Sequence, residues 1–514
     1  MIHARLGRMR GAAISTDQIM SDEDIKDPAT YVVRDRGHFW WAEDLPPDRH
    51  HLPLSAVAGE LRITREGRIT VELDGLLAHR PDDPFQTGSW AAYDALRSRR
   101  IRGVLRDTGQ GVLLFDLARA SARHSSYTIS VEGFSAAQCV ISERQFDDQM
   151  NQPKFSWLDA GLKGFEEWLW TRALQIKHGK TLSTAKYRRP KRVTYSLKNG
   201  RLQIVQHLTG RSRGHSDLTW SEVASIRFTP KTTVDIEAVI DWHRWLQDLM
   251  ILLTDTDYGL QWPRVRWLKH DCTLYFQRLV TNAERPRLHE CPANFPKIKD
   301  TFGTLYESWL SVREKYGPAV YLYLGTRRGV QLYTETEYLM LISGLEAFHR
   351  TKYGDHKSRR ASAKLDKIVS QIADEKDRDW VGDRLAYTTL PNLEKRIFDT
   401  LEALPLGFEK SRLRTFAHEC AKLRNELAHG GHRDKGTKYS DFITAVMKKN
   451  YALAPLYHAL ILVEIGLDPD TVRGWATDSP PAFRRNWYFA EAGLADHVDP
   501  HIRGQGAGTK EASP

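Results

Sequence analysis

The chain has 514 residues, 41% of them hydrophobic and 27% charged, with a formal net charge of +10. That is the balance of a globular protein with a polar surface, and the positive excess suits a polyanion partner. Nowhere does the sequence reach the roughly 18 consecutive apolar residues of a membrane span. The segment Met1 to Asp27 has no apolar stretch ahead of a cleavage site, so no signal peptide is expected. The four cysteines, Cys139, Cys272, Cys291 and Cys420, are scattered without zinc-ligand spacing or a disulfide framework, which fits a reducing cytoplasm.

In chain order, residues 1–29 form a polar leader without periodicity, and 30–298 read mostly as strands. Ala58 to Thr64 alternates apolar and polar residues, Arg65-Glu66-Gly67 turns, and Ile69 to Leu73 alternates again, predicting a hairpin. Further strands are expected over Val112–Leu117, Tyr127–Val131, Arg192–Leu197 and Leu202–Leu208, with Asn199-Gly200 as the turn between the last two. A helix over Thr233–Thr254 interrupts them, with Val234, Ala238, Trp242, Trp245 and Met250 on one face. Eleven of the fifteen tryptophans precede residue 300; they either fill a β-rich core or line a ligand groove, a carbohydrate groove among the options. Two basic runs stand out. One holds Arg97, Arg99, Arg100 and Arg102, the other Lys186, Arg188, Arg189, Lys191 and Arg192. Each is either a solvated face or a nucleic-acid contact.

From residue 299 to 468 the pattern becomes helical. Tyr338, Leu341, Ile342, Leu345 and Phe348 make one apolar stripe; Lys364–Ile372, Asn392–Leu404, Arg412–His429 and Tyr439–Ile465 follow. Short polar connections between them predict a bundle. Beyond Thr471 periodicity fades, and residues 469–514 read as a partly disordered extension. The fold class is therefore α+β, a β-rich N-terminal domain followed by an all-α bundle.

The chemistry concentrates at Arg424-Asn425-Glu426-Leu427-Ala428-His429, followed by Gly430-Gly431. On this helix Leu413, Phe416, Cys420, Leu423 and Leu427 form a core stripe, and Arg424 stands in a neighbouring column with Ala417, Ala421 and Ala428. Small neighbours leave a notch in which a guanidinium can act. Arginine is a permanent cation that matches phosphate, and histidine moves a proton near neutral pH. The helix C-terminus favours a protonated His429 and Arg424 opposes it, while Asn425, four residues earlier, can face the ring. These groups are what metal-free RNA cleavage needs. The alternative is that Arg424 and His429 only cap the helix end. His429 and His432 have no carboxylate or cysteine cluster beside them, so neither a metal nor a cofactor is expected.

In this setting the motif resembles that of the HEPN superfamily, whose ribonucleases carry Arg-x4–6-His, often with a polar residue after the arginine. Glu337 to Phe348 looks like the early helix of the HEPN domain of ApeA-type anti-phage proteins. Gly37-His38-Phe39-Trp40-Trp41, Val57-Ala58-Gly59-Glu60-Leu61 and Val71-Glu72-Leu73-Asp74-Gly75 resemble the ApeA N-terminal domain. The resemblance implies a helical HEPN bundle joined to a β-rich sensor or regulatory domain. It also implies a homodimer or higher even-numbered oligomer with a composite site, and metal-independent endonuclease action on RNA, tRNA among the targets, in abortive defence against phage. Arg424, Asn425 and His429 take the catalytic positions, and a phage-derived trigger is the implied partner. Glu346, seven residues after Leu339 near the inner face, is expected to pair with Arg424 or His429 and set their geometry. The competing reading is a non-catalytic dimerisation, nucleic-acid or nucleotide-binding module with a ligand-sensing β-rich half.

Overall fold

A computed structural model describes residues 31–44, 51–77, 99–123, 130–146, 152–171, 173–213, 217–280, 282–329, 331–356, 359–428 and 438–496. The described chain forms two compact units, one from residues up to Phe146 together with Tyr275–Arg278, the other from Asp147–Leu274 and the chain from Leu279 onward. The boundary expected near residue 298 thus falls within the second unit. The leader 1–29 lies outside the described residues.

The first unit is a barrel of six antiparallel strands: β1 (Tyr31–Trp41), β2 (Val57–Thr64), β3 (Ile69–Leu73), β4 (Ile101–Leu105), β5 (Gly111–Arg123) and β6 (Val131–Ser142). Pairing runs β1-β2-β3-β6-β5-β4 and returns to β1, so the sheet has no open edge. The hairpin expected at Ala58–Leu73 is β2–β3, and Gly67 takes the left-handed conformation its turn requires (φ 80°). Alternate residues of every strand point inward, and Phe39, Leu61, Ile63, Val71, Val112 and Phe134 are among those that fill the interior. The part of the Tyr127–Val131 expectation before Ser130 lies outside the described residues.

The second unit opens with an antiparallel sheet in the order β10-β11-β12-β7-β13-β14. These strands are β7 (Phe155–Gly161), β10 (Val193–Leu197), β11 (Gly200–Arg213), β12 (Asp217–Pro230), β13 (Arg264–Trp267) and β14 (His270–Phe276); a separate ribbon pairs β8 (Leu174–His178) with β9 (Ser183–Tyr187). The β10–β11 hairpin turns one residue earlier than Asn199-Gly200 predicts, because Leu197 pairs with Gly200 and only Lys198 and Asn199 lie between. Gly200 is needed for another reason: a Cβ there would sit 2.3 Å from the Thr229 carbonyl oxygen of the neighbouring strand. Helix α1 (Ile236–Thr254), capped by Asp235 accepting from the Ala238 N–H, is buried along most of its length. Its Trp242 stacks on Phe228 of β12. Trp40, Trp41, Trp168, Trp242 and Trp267 are all buried, so tryptophan chiefly builds core here.

The helical region continues with α2 (Phe302–Tyr316), α3 (Pro318–Arg327), α4 (Thr334–Tyr353), α5 (Arg359–Val369), α6 (Glu375–Leu385), α7 (Leu393–Glu402), α8 (Lys410–Ala428), α9 (Tyr439–Glu464) and α10 (Phe483–Glu491). The tail after Thr471 is thus helical as far as Glu491, which its weak periodicity did not predict, and residues 497–514 lie outside the described set. Helix α4 is central and touches α3, α7, α8 and α9. Its stripe of Tyr338, Leu341, Ile342, Leu345 and Phe348 is completely buried, and Phe348 stacks on Tyr316 at 4.3 Å.

Gly344 sets the approach of α4 to α9. A Cβ there would lie 2.7 Å from the Tyr457 hydroxyl, which cannot retreat because it is buried and donates to the Ala319 carbonyl oxygen at 2.8 Å. Gly344→Ala should therefore lower stability by about 1–3 kcal/mol through overpacking, despite a helix-propensity gain of ~1 kcal/mol. Chemical denaturation of wild type and variant measures this; a more stable variant would contradict the packing described.

Candidate functional site

Helix α8 carries the Arg-Asn motif at its C-terminal end. Its apolar face begins inside the bundle, where Leu413, Phe416, Ala417 and Cys420 are buried. It then leaves the core: Leu423 and Leu427, expected as core positions, are only half-buried. Arg424 emerges at this transition, half-buried and directly above the buried part of the helix. The column Ala417, Ala421, Arg424 and Ala428 runs likewise from fully buried to exposed.

Among the described residues, the one hydrogen bond of the Arg424 guanidinium goes from Nη1 to Asn425 Oδ1 at 3.3 Å. No carboxylate among them lies within ion-pair distance of Arg424, so its charge is available to an incoming anion. Glu426 instead lies 3.8 Å from Lys422, one turn back. His429, Gly430, Gly431 and His432 lie outside the described residues.

Glu346 does not make the expected bond to Arg424. Its carboxylate accepts from Arg350 Nη2 at 2.9 Å, one turn along the same helix. A partner at i+4 needs no tertiary alignment and satisfies the charge locally. A pairing with His429 falls outside the described residues.

Beside the motif lies a cleft of about 710 Å³ between the start of α7 and the last turns of α8. Asn392, Glu394, His418, Lys422, Asn425 and Glu426 are among its walls. His418, Lys422 and Asn425 stand at i, i+4 and i+7, so one helix face presents them together. His418 Nδ1 is hydrogen-bonded to Glu394 Oε2 at 2.9 Å, which fixes the ring orientation. Neither His418 nor Glu394 was singled out from the sequence; the spacing on α8 was the available signal, and the partner on α7 comes only from packing.

The buried base of α8 is held from α4. The Tyr338 hydroxyl donates to the Cys420 carbonyl oxygen at 2.7 Å, one turn before Arg424. From α9, Lys449 Nζ donates to Glu419 at 2.5 Å. Burial pushes the Cys420 thiol up to about 12, so it remains a neutral packing group.

The two basic runs differ. Arg97 lies outside the described residues. Arg99 sits 3.5 Å over the Trp41 ring and Arg100 5.4 Å over Phe115. Arg102, in β4 between β1 and β5, is only 4% exposed and offers no outward surface, which corrects its assignment to RNA contact. The second run is open: Lys186, Arg188, Arg189, Lys191 and Arg192 are all exposed on or just after β9. No group of three or more histidine, cysteine, aspartate or glutamate side chains that could hold a metal ion occurs among the described residues. No helix among them is long and apolar enough to cross a membrane.

Two family models match the chain. The model described as ApeA N-terminal domain 1 covers residues 36–309, and the one described as Apea-like HEPN covers residues 339–471. No curated protein and no solved structure gives a significant match.

The hold of α4 on α8 can be measured. Tyr338→Phe removes this donor while the Cys420 carbonyl keeps its intrahelical bond, and should cost about 0.5–1.5 kcal/mol. Amide hydrogen exchange over Lys410–Ala428 should accelerate in step with this destabilisation; unchanged exchange in α8 would separate this bond from the positioning of the motif.

Proposed function

Because the chain belongs to the ApeA-like HEPN family, we propose that it is a metal-independent endoribonuclease of bacterial anti-phage defence, acting on tRNA or other cellular RNA. The observation that carries this reading is the Arg424 guanidinium, half-buried at the end of the motif helix, oriented by Asn425 and free of a carboxylate partner among the described residues. A guanidinium without a neighbouring acid keeps its planar fork of donors open to a phosphate.

The roles follow from the chemistry. His429 takes the proton from an RNA 2′-hydroxyl, whose oxygen attacks the adjacent phosphorus. The bond from phosphorus to the 5′-oxygen breaks, and that oxygen takes a proton from the His429 of the second copy, which replaces the one removed from the 2′-hydroxyl. The products are a 2′,3′-cyclic phosphate and a 5′-hydroxyl, so no water or metal enters the balance. Arg424 stabilises the charge that builds on the non-bridging oxygens, and Asn425 assists. Two copies of the chain bring two motifs together in a composite site. The β-rich half senses a phage component and restrains the nuclease, since constant RNA cleavage would harm the host cell. Glu346, ion-paired with Arg350, acts in this account as a support of α4.

With total tRNA as substrate and EDTA throughout, cleavage by purified wild type should fall about 10²–10⁴-fold in His429→Ala. Arg424→Ala should fall by about 10²–10³-fold. Undiminished cleavage in both variants would favour the non-catalytic binding module.

The exposed run from Lys186 to Arg192 supports RNA binding by charge. Replacing its five cations by glutamine should weaken RNA binding. It should also flatten the dependence of log Kd on log salt by roughly 0.7–0.9 for each phosphate no longer neutralised. Arg102→Gln should leave that slope in place and act on barrel stability instead. An unchanged slope in the five-fold variant would remove the run from the RNA surface.

A further inference from the structure

A cavity in the second unit lies away from the Arg-Asn motif and has a volume of about 1140 Å³. It is bounded by the end of α1, the segment around Arg285, helices α3, α4 and α9, and the tail from Ser479 to Tyr488. That size is somewhat above the roughly 300 to 1,000 Å³ usual for small-ligand sites, so a ligand need not fill it.

One wall is an ion cluster centred on Asp255. Asp255 accepts from Arg327 at 2.6 Å and lies 3.3 Å from His458 Nδ1 and 3.8 Å from Arg485. Burial works against the Asp255 charge, but the Arg327 and Arg485 guanidinium groups and the His458 side chain outweigh it and hold the carboxyl at about 2. The cluster braces α1, α3, α9 and the tail around the opening.

The floor is not satisfied in this way. Tyr323 is fully buried, its ring tilted against Tyr457 at 5.0 Å, and its hydroxyl has no partner among the described residues. Asn450 is 3% exposed; its Nδ2 donates to the Thr334 carbonyl oxygen at 2.8 Å, but its Oδ1 has no partner among the described residues. Both side chains line the cavity. Buried hydroxyl and amide oxygens left unmet cost free energy, and a polar ligand edge or ordered water relieves it. Glu337 lies beside them, its carboxyl raised by burial.

The mouth has a different character. Arg285 and Arg484 are exposed, and neither has a carboxylate partner among the described residues. Tyr451 stacks on Tyr488 at 4.8 Å, and Phe483 is 52% exposed beside them. The site thus combines two open guanidinium groups, an aromatic wall and a buried hydrogen-bonding floor. An anion alone leaves the floor unused, and a neutral sugar leaves the guanidinium groups unused. A flat heterocycle with a hydrogen-bonding edge and a phosphate tail answers all three.

We propose that this cavity is an effector site for a nucleoside diphosphate, with the base edge on Tyr323 and Asn450 and the phosphates at Arg285 and Arg484. The connection to the motif helix is short. Glu337 faces the cavity, and the next residue, Tyr338, holds the Cys420 carbonyl of α8. Asn450 faces the cavity, and the preceding residue, Lys449, holds Glu419 of α8. Occupancy of the floor therefore stiffens α8 through both neighbours. That this controls RNA cleavage rests on the nuclease reading; the binding and the stiffening do not.

The test uses the full chain without RNA, so a failed cleavage assay and a failed effector site are told apart. Calorimetric titration with each of the four ribonucleoside 5′-diphosphates is compared with inorganic pyrophosphate and the free nucleosides. At least one diphosphate should bind more tightly than either control and slow hydrogen exchange over Lys410–Ala428. Tyr323→Phe keeps the ring and removes one unpartnered hydroxyl; Arg484→Glu changes an exposed rim residue. Each should weaken binding by about tenfold, the equivalent of one polar contact. Three results would each overturn the proposal: no binding by any diphosphate at millimolar concentration, binding untouched by both variants, or pyrophosphate binding as tightly as the best diphosphate.

Discussion

The helical region depends on one helix being packed on four sides at once. Helix α4 buries Tyr338, Leu341, Ile342, Leu345 and Phe348 completely and touches α3, α7, α8 and α9. Such a helix admits little slack, which is why Gly344 faces the Tyr457 hydroxyl and Phe348 lies flat on Tyr316. The same packing delivers the Tyr338 hydroxyl to the Cys420 carbonyl, and so fixes the root of the helix that carries Arg424. Positioning of this kind matters for catalysis, because a displacement of about 1 Å can cost ~10²-fold in rate.

Above that root the structure changes character. Helix α8 is anchored as far as Cys420 and then rises out of the core, with Leu423, Arg424 and Leu427 half-buried. A half-covered apolar strip beside a guanidinium with no carboxylate partner among the described residues is what the proposed composite site needs from each copy. The leucines can be covered by a second chain, while the cation waits for phosphate. The cleft holding His418, Lys422 and Asn425 continues the same face, and in the proposed nuclease reading it gives an RNA strand a polar path to the motif.

Legibility in the sequence followed the range of the interaction. The stripe of α4 and the limits of α9 were readable because a helical period repeats over many residues, and the β2–β3 hairpin because alternation and Gly67 agree. The α8 stripe was readable only to Cys420: period alone does not reveal where a neighbouring helix ends. Asn199-Gly200 gave the right hairpin and the wrong reason for its glycine, since the constraint at Gly200 comes from Thr229 on another strand. Arg102 looked like surface because it stands among arginines, yet it is only 4% exposed in β4, on the strand face opposite Ile101 and Leu105. Glu346 pairs with Arg350, four residues away, and not with Arg424. The cavity floored by Tyr323 and Asn450 was invisible for the same reason: its residues come from six separated stretches of chain.

The most direct measurement of the central claim is the chemistry of the cut ends. RNA cleaved by the purified protein in EDTA is analysed for its termini by mass spectrometry. The account predicts 2′,3′-cyclic phosphate and 5′-hydroxyl ends, because the attacking oxygen belongs to the RNA and His429 and Arg424 act on it. Products with 3′-hydroxyl and 5′-phosphate ends would mean that water is the nucleophile and would contradict the mechanism assigned to this motif.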